Sequence, residues 1–230
     1  DIELSEKQKE AVEAINENNV CIITGGPGTG KTTIIKTIIE LYEKQGKKVV
    51  LCAPTGRAAK RMTETTGKEA KTLLEIGKQD EENKLETVDR ELAPLDADIV
   101  IVDEMSMVDI FIMNYLVKAL YQGTKLVLVG DVDQLPSVGP GSILKDMINS
   151  EKITTITLNK IFRQAAKSKI ILNSHRVNEG ECFLKKEDIE KEELNKDFFY
   201  INEINQEKIL HQVITLCNGR LKNYGDYDFF

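Results

Sequence analysis

The chain has 230 residues, 41% of them hydrophobic and 30% charged, with a formal net charge of −7. This is the make-up of an ordinary folded protein with one good core, or one and a half domains; no apolar run reaches membrane-spanning length and nothing resembles a signal peptide. The acidic balance argues against a nucleic-acid partner, yet it is uneven: residues 79–98 carry eight acidic and two basic side chains and residues 179–207 ten and four, whereas 53–71 hold Arg57, Lys60, Arg61, Lys68 and Lys71 against Glu64 and Glu69. A local basic face on an acidic body fits that distribution, and so does a solvated helix face. The chain starts at Asp1 rather than methionine, so it is expected to be a processed or cut piece of something longer. Cys21, Cys52, Cys182 and Cys217 show no C-x-x-C pairing, which points to a reducing, cytoplasmic compartment.

In chain order, Ser5 opens a helix to about Asn16, with Gln8 completing a capping box. The apolar run Val20–Ile23 is a strand, and a helix carrying Ile34, Ile35, Ile38 and Ile39 ends before Gly46. Lys48–Ala53 reads as a buried strand and Arg57 to about Thr65 as a helix. Residues 75–90 flank a polar turn and read as a small hairpin. Asp98–Glu104 is a strand, about Asp109–Leu120 a helix, and Lys125–Val129 a strand. A Gly- and Pro-rich loop to Gly141 leads into a helix reaching Ile148. Ile153–Leu158 is strand-like, and Ser168–Val177 helical. Residues 179–196 form an acidic surface excursion, followed by a final strand at Phe198–Ile201 and a final helix at Glu207–Leu221. Continuous apolar strands alternating with helices imply an α/β fold, a mostly parallel sheet with helices on both faces.

Between the first strand and the second helix lies Gly25-Gly26-Pro27-Gly28-Thr29-Gly30-Lys31-Thr32-Thr33, which contains G-x-x-x-x-G-K-[ST]. Glycines let backbone N–H groups curl around a phosphate, and the helix start adds the positive end of its dipole. Lys31 is placed to reach the β- and γ-phosphates and Thr32 to offer a hydroxyl to Mg²⁺. Asp103-Glu104 caps an apolar strand: Asp103 suits the metal and Glu104 the attacking water, a pairing that favours hydrolysis over transfer. Gln134, on the loop after the Lys125–Val129 strand, is placed to report a γ-phosphate; Arg163 would supply charge for phosphoryl transfer.

LSEKQKEAV (4–12), TGGPGTGKTT (24–33), LCAPTGRAAKRM (51–62), AKTLLEIG (70–77), IVIVDEMSMVD (99–109), LVLVGDVDQLPSVGPG (126–141) and LNKIFRQAAKSKIILNSHRVNEG (158–180) together closely resemble superfamily 1 DNA helicases of the RecD-like type, related to the exodeoxyribonuclease V alpha subunit. The resemblance implies a RecA-like P-loop NTPase motor domain over residues 1–221, with residues 75–90 as an inserted strand-separating pin and 222–230 as the start of a linker to a second motor domain. It further implies ATP-driven 5′-to-3′ translocation on single-stranded DNA, with ATP and Mg²⁺ as cofactors, duplex DNA as substrate and nuclease-complex subunits as a partner class. Under it Gln8 reads adenine, Pro54, Thr55, Gly56, Arg57, Lys60 and Thr72 contact DNA, and Arg163 is the motif IV arginine. The family carries a histidine two positions after that threonine, where this chain has Leu74. A GTPase would need N-K-x-D, which neither Asn159-Lys160-Ile161-Phe162 nor Asn195-Lys196-Asp197-Phe198 supplies. A nucleotide-binding module that switches a partner without processive work is the reading from a different class.

Overall fold

The computed structural model describes residues 4–76, 95–162, 165–183 and 197–219. Its strands are β1 (Val20–Thr24), β2 (Val49–Ala53), β3 (Ala70–Thr72), β4 (Ile99–Val102), β5 (Lys125–Gly130) and β6 (Thr154–Thr157). They form one sheet in the order β3-β2-β4-β5-β1-β6, every neighbouring pair parallel. The helices are α1 (Glu6–Glu17), α2 (Lys31–Lys44), α3 (Gly56–Thr66), α4 (Leu73–Ile76), α5 (Ile110–Ala119), α6 (Ile143–Asn149), α7 (Lys169–Asn178) and α8 (Gln206–Asn218).

A parallel sheet must be covered on both faces, and alternate strand residues divide accordingly. Cys21, Ile23, Leu51, Ile99, Ile101, Val127 and Val129 pack with Ile15 of α1, Ile34, Ile35 and Ile38 of α2 and Met62 of α3. On the opposite face Ile22, Cys52, Val100, Val102, Leu126 and Leu128 meet Leu73 of α4, Leu116 of α5 and Leu144 of α6. The doubly covered sheet expected from the apolar runs is therefore present. Cys21 and Cys52 are free buried thiols, and burial pushes both above their ordinary range.

Three differences from the sequence reading have physical causes. β3 is a strand of three half-buried residues, too short and too polar to give a periodic signal. Glu75 and Ile76 belong to the helical turn α4 rather than to a hairpin arm, because Thr72 and Glu75 form their own capping pair: Thr72 N–H donates to Glu75 Oε2 at 2.7 Å and Glu75 N–H to Thr72 Oγ1 at 3.3 Å. The rest of the expected 75–90 pin lies outside the described residues. Residues 198–201 form no strand: Phe198 and Tyr200 pack edge-on against Phe183 instead, while Phe199, Tyr200 and Ile201 stay exposed.

Six parallel strands place six carboxyl ends on one edge of the sheet, where ligands of such folds sit. That edge depends on the core behind it. Ile101→Ala, in a strand paired on both sides and fully buried, is expected to lower unfolding free energy by about 2–5 kcal/mol, measured by urea denaturation.

Candidate functional site

The phosphate loop leaves β1 and is pinned to the end of β5, Gly25 N–H donating to the Gly130 carbonyl at 3.3 Å and Val132 N–H to Thr24 Oγ1 at 3.4 Å. Buried Thr29 turns its hydroxyl onto the Gly26 carbonyl at 2.8 Å. Gly28 and Gly30 have φ of +76° and +86°, a region that side chains strain to enter. Lys31 opens α2, and its ammonium donates to the carbonyls of Gly25 at 2.5 Å and Gly26 at 3.0 Å. Thr32 is exposed in the first turn, and the carbonyl of half-buried Thr33 accepts the Thr37 hydroxyl at 3.0 Å.

Burial holds the Lys31 ammonium below its ordinary pKa, and the carboxylates of Asp131, Asp103 and Glu104 pull it back up. Asp103 is held above its ordinary value by the same burial, offset by the Glu104 N–H donated to its Oδ1 at 2.8 Å and by the charge of Lys31. Glu104 adopts φ +55°, a left-handed conformation costing a non-glycine residue on the order of 1–3 kcal/mol. Its Oε1 stands 4.0 Å from the guanidinium of Arg61. Asp131 is buried at the end of β5, its Oδ1 accepting Asp133 N–H at 3.1 Å and its Oδ2 the Gln134 amide at 3.4 Å. Gln134 is exposed, so Asp131 holds the amide at the mouth of this cluster.

Gln8 completes the capping box and also reaches the phosphate loop. Its Oε1 accepts Ser5 N–H at 2.9 Å while Ser5 Oγ accepts Gln8 N–H, so the capping box forms. Its Nε2 donates to the Gly30 carbonyl at 3.3 Å, placing an almost fully buried amide against the phosphate loop. Arg163 lies outside the described residues. Its neighbours are placed: Phe162 N–H donates to the Gly28 carbonyl at 3.2 Å, and Ala165 packs on Gly28.

The residues considered for DNA gather at the other end of the edge. Pro54, Thr55 and Gly56 follow β2 into α3, and Thr72 ends β3 in register with Ala53. Thr55 Oγ1 caps α3 through Ala58 N–H at 3.3 Å; Arg57 and Lys60 are exposed on that helix, as is Leu74 beyond Thr72.

Three residues of the site lie within the family-resembling stretches without a role that the sequence assigns to them. Asp131 was visible only as the polar end of an apolar strand, and Arg61 only as one charge in a basic stretch. His175 is visible only as one residue of the 158–180 stretch, with no role of its own, yet its ring lies against Gly26 and its Nε2 is 3.1 Å from the Pro27 carbonyl. The paired motifs DEMSMVD and GDVDQLPSVGPG pack on each other: Ile110 N–H donates to the Pro140 carbonyl at 3.0 Å, and Gly139 lies against Asp109, the N-cap of α5.

Residues 3–193 match the family model of an AAA domain. The chain belongs to the AAA domain family. This AAA domain is 41% identical over 183 residues to the ATP-dependent RecD2 DNA helicase of Deinococcus radiodurans, covering 78% of the chain and 24% of that protein. It is 36% identical over 172 residues to the RecBCD enzyme subunit RecD of Mycolicibacterium smegmatis, covering 62% and 30%. The chain thus spans about a quarter to a third of the length of these relatives. Among solved structures, the Pif1 helicase of Candida albicans superposes with a TM-score of 0.51 at 27% identity over 71% of this chain and 41% of that one. Unliganded Pif1 from a Bacteroides species gives 0.53 at 25% identity, covering 82% and 48%. The AAA domain has the RecA-like P-loop fold expected of it.

Removing the Lys31 ammonium should silence ligand binding without disturbing the fold, since its bonds go to the loop and its charge is already desolvated. Lys31→Met is expected to abolish Mg-ATP binding while leaving the circular dichroism spectrum and melting temperature unchanged or slightly raised. Retained tight binding would show that Lys31 does not hold the nucleotide.

Proposed function

We propose that the chain is the first motor domain of an ATP-dependent DNA helicase, residues 1–221 forming the motor unit and 222–230 leading toward a second one. One observation carries the reading. The phosphate loop, the Asp103-Glu104 pair and Asp131 converge at the ends of β1, β4 and β5, and the exposed basic helix α3 leaves the same edge of the sheet at β2. Nucleotide and strand would then bind side by side on one rigid edge.

The residues fit Mg-ATP. The glycine loop is a cradle, Lys31 lies across its carbonyls, and Thr32 and Asp103 offer the hard oxygen ligands that Mg²⁺ takes. Bound Mg²⁺ would neutralise phosphate charge. In this reading Lys31 turns from the loop carbonyls to the β- and γ-phosphates, and Gln8 reads adenine. Glu104 orients and deprotonates the attacking water, Gln134 senses the γ-phosphate and Arg163 offsets its charge. Thr55, Arg57, Lys60 and Thr72, with Pro54 and Gly56 shaping the approach, hold the DNA backbone. Both threonine hydroxyls serve as helix caps through their lone pairs, which leaves each O–H free to donate to a phosphate.

Single-stranded DNA is the proposed track and duplex DNA the substrate, with 5′-to-3′ polarity. Nuclease-complex subunits are the protein partners that the names of the RecD relatives suggest, and the cytoplasm is the proposed location. Among the described residues no helix is long and apolar enough to cross a membrane.

Two measurements test the reading. In the longer polypeptide, Glu104→Gln is expected to bind ATP but hydrolyse it orders of magnitude more slowly, because an amide cannot accept a proton. Asp103→Asn should instead weaken the Mg²⁺ dependence; identical behaviour of the two would refute the division of roles. The 230-residue chain assayed alone is expected to be a poor ATPase that oligo-dT barely stimulates. The resemblance places a further arginine on the second motor domain, and such a residue is worth about 10³–10⁵ in rate. Its DNA binding should be weak and shallowly salt-dependent, with a slope of about −0.7 per phosphate neutralised. DNA-stimulated turnover equal to that of the longer polypeptide would overturn the half-motor reading; nucleotide binding without any DNA effect in either would favour a switch module.

A further inference from the structure

After β6 the chain folds back across the phosphate loop and stays there. Leu158 N–H donates to the Thr24 carbonyl at 2.7 Å, and Phe162 N–H to that of Gly28. A 3₁₀ turn, Ala165–Lys167, follows before α7. This return segment touches three glycines of the loop, and α7 a fourth. A Cβ on Gly25 would stand 2.6 Å from the Leu158 carbonyl oxygen, one on Gly28 2.5 Å from Ala165 Cβ, and one on Gly30 2.8 Å from Phe162 Cε2. On Gly26 the three nearest atoms all belong to the His175 ring, the first at 2.7 Å. Close approach of protein, as well as of phosphate, therefore demands glycine here.

His175 does more than fill space. Its Nε2 lies 3.1 Å from the Pro27 carbonyl oxygen. That oxygen can only accept, so the ring must donate from an Nε2–H. Proline offers no N–H of its own, which leaves this carbonyl as the one backbone handle at that residue. Three successive carbonyls of the loop are thus held by two side chains: Lys31 takes Gly25 and Gly26, and His175 takes Pro27.

We propose that His175 is a positioning residue for the nucleotide site, tethering the Gly26-Pro27 turn from α7 so that the loop keeps its shape when Lys31 turns from the carbonyls to a phosphate. It acts through the loop and does not touch the nucleotide. The inference rests on the nucleotide-binding reading of the loop. It also ties α7 to the loop, beside the contacts that Leu158, Phe162 and Ala165 make there.

The test is Mg-dependent binding of a fluorescent ATP analogue by the chain, with melting temperatures measured in parallel. His175→Ala and His175→Phe are expected to weaken binding three- to tenfold without a matching fall in melting temperature. His175→Gln, whose amide nitrogen is the same number of bonds from the backbone as Nε2, is expected to stay within twofold of the unaltered chain. Gly26→Ala should weaken binding by itself and add nothing once His175→Ala has emptied the space its methyl needs. Full affinity in His175→Phe would reduce the contact to packing and overturn the tether. So would unchanged affinity in His175→Ala, affinity and melting temperature falling together across the series, or a Gly26→Ala loss that persists in the double variant. Failure of the unaltered chain to bind Mg-ATP would instead refute the nucleotide reading, and the proposal with it.

Discussion

A half-buried ammonium among three carboxylates is the interaction on which this site turns. Burial disfavours the charge on Lys31, and Asp131, Asp103 and Glu104 restore it. None of these groups is near another in sequence except the last two. They meet because β1, β4 and β5 run parallel and adjacent, so three strand ends supply the cation and its counter-charges at one place. Preorganised charge of this kind, partly withdrawn from water before any ligand arrives, is the form in which a protein stabilises phosphoryl transfer most effectively. The apolar runs behind it are the condition for that arrangement, since a parallel sheet holds its strand ends in line only when both faces are covered.

The same edge is divided along its length. The β4, β5, β1 and β6 ends surround the phosphate loop, while the β3 and β2 ends carry Thr72, Thr55 and the basic start of α3. Arg61 stands at the division, on the helix of Arg57 and Lys60 yet 4.0 Å from Glu104. A pair at that distance, with Arg61 largely in water, adds little stability. Its interest is positional, for it is the point where the proposed DNA face comes closest to the carboxylate proposed to activate water. Glu104 reaches that point through a left-handed backbone turn, a local cost that the buried strand before it can sustain.

Several side chains that cap helices also stand at the candidate site. Gln8 completes a capping box and bonds the phosphate loop; Thr55 and Thr72 cap helices at the positions the resemblance gives to DNA contacts. An explanation by capping and an explanation by function are therefore not competitors here. A hydroxyl accepts with its lone pairs and donates with its proton, and an amide has two ends. Short polar side chains at helix starts are favoured for both reasons, because helix starts are where backbone N–H groups and ligand phosphates converge.

The amino-acid sequence by itself determined the strand-and-helix alternation, the phosphate loop and the Asp103-Glu104 pair. Each of these is local, written in apolar runs, in glycine spacing, or in a polar pair ending a strand. Even the family was legible, because its motifs are contiguous. Tertiary structure alone decided β3, which has no apolar run of its own and exists by pairing with β2. It also decided that Phe198 and Tyr200 would leave the sheet for Phe183. Above all it decided which distant side chains meet at the site: the motifs contain Asp131, Arg61 and His175 but do not say what they touch, since their proximity to Lys31, Glu104 and Gly26 arises from strand order and from the chain folding back after β6. Sequence periodicity records which side of an element is buried; it does not record what another element, distant along the chain, will lay against it.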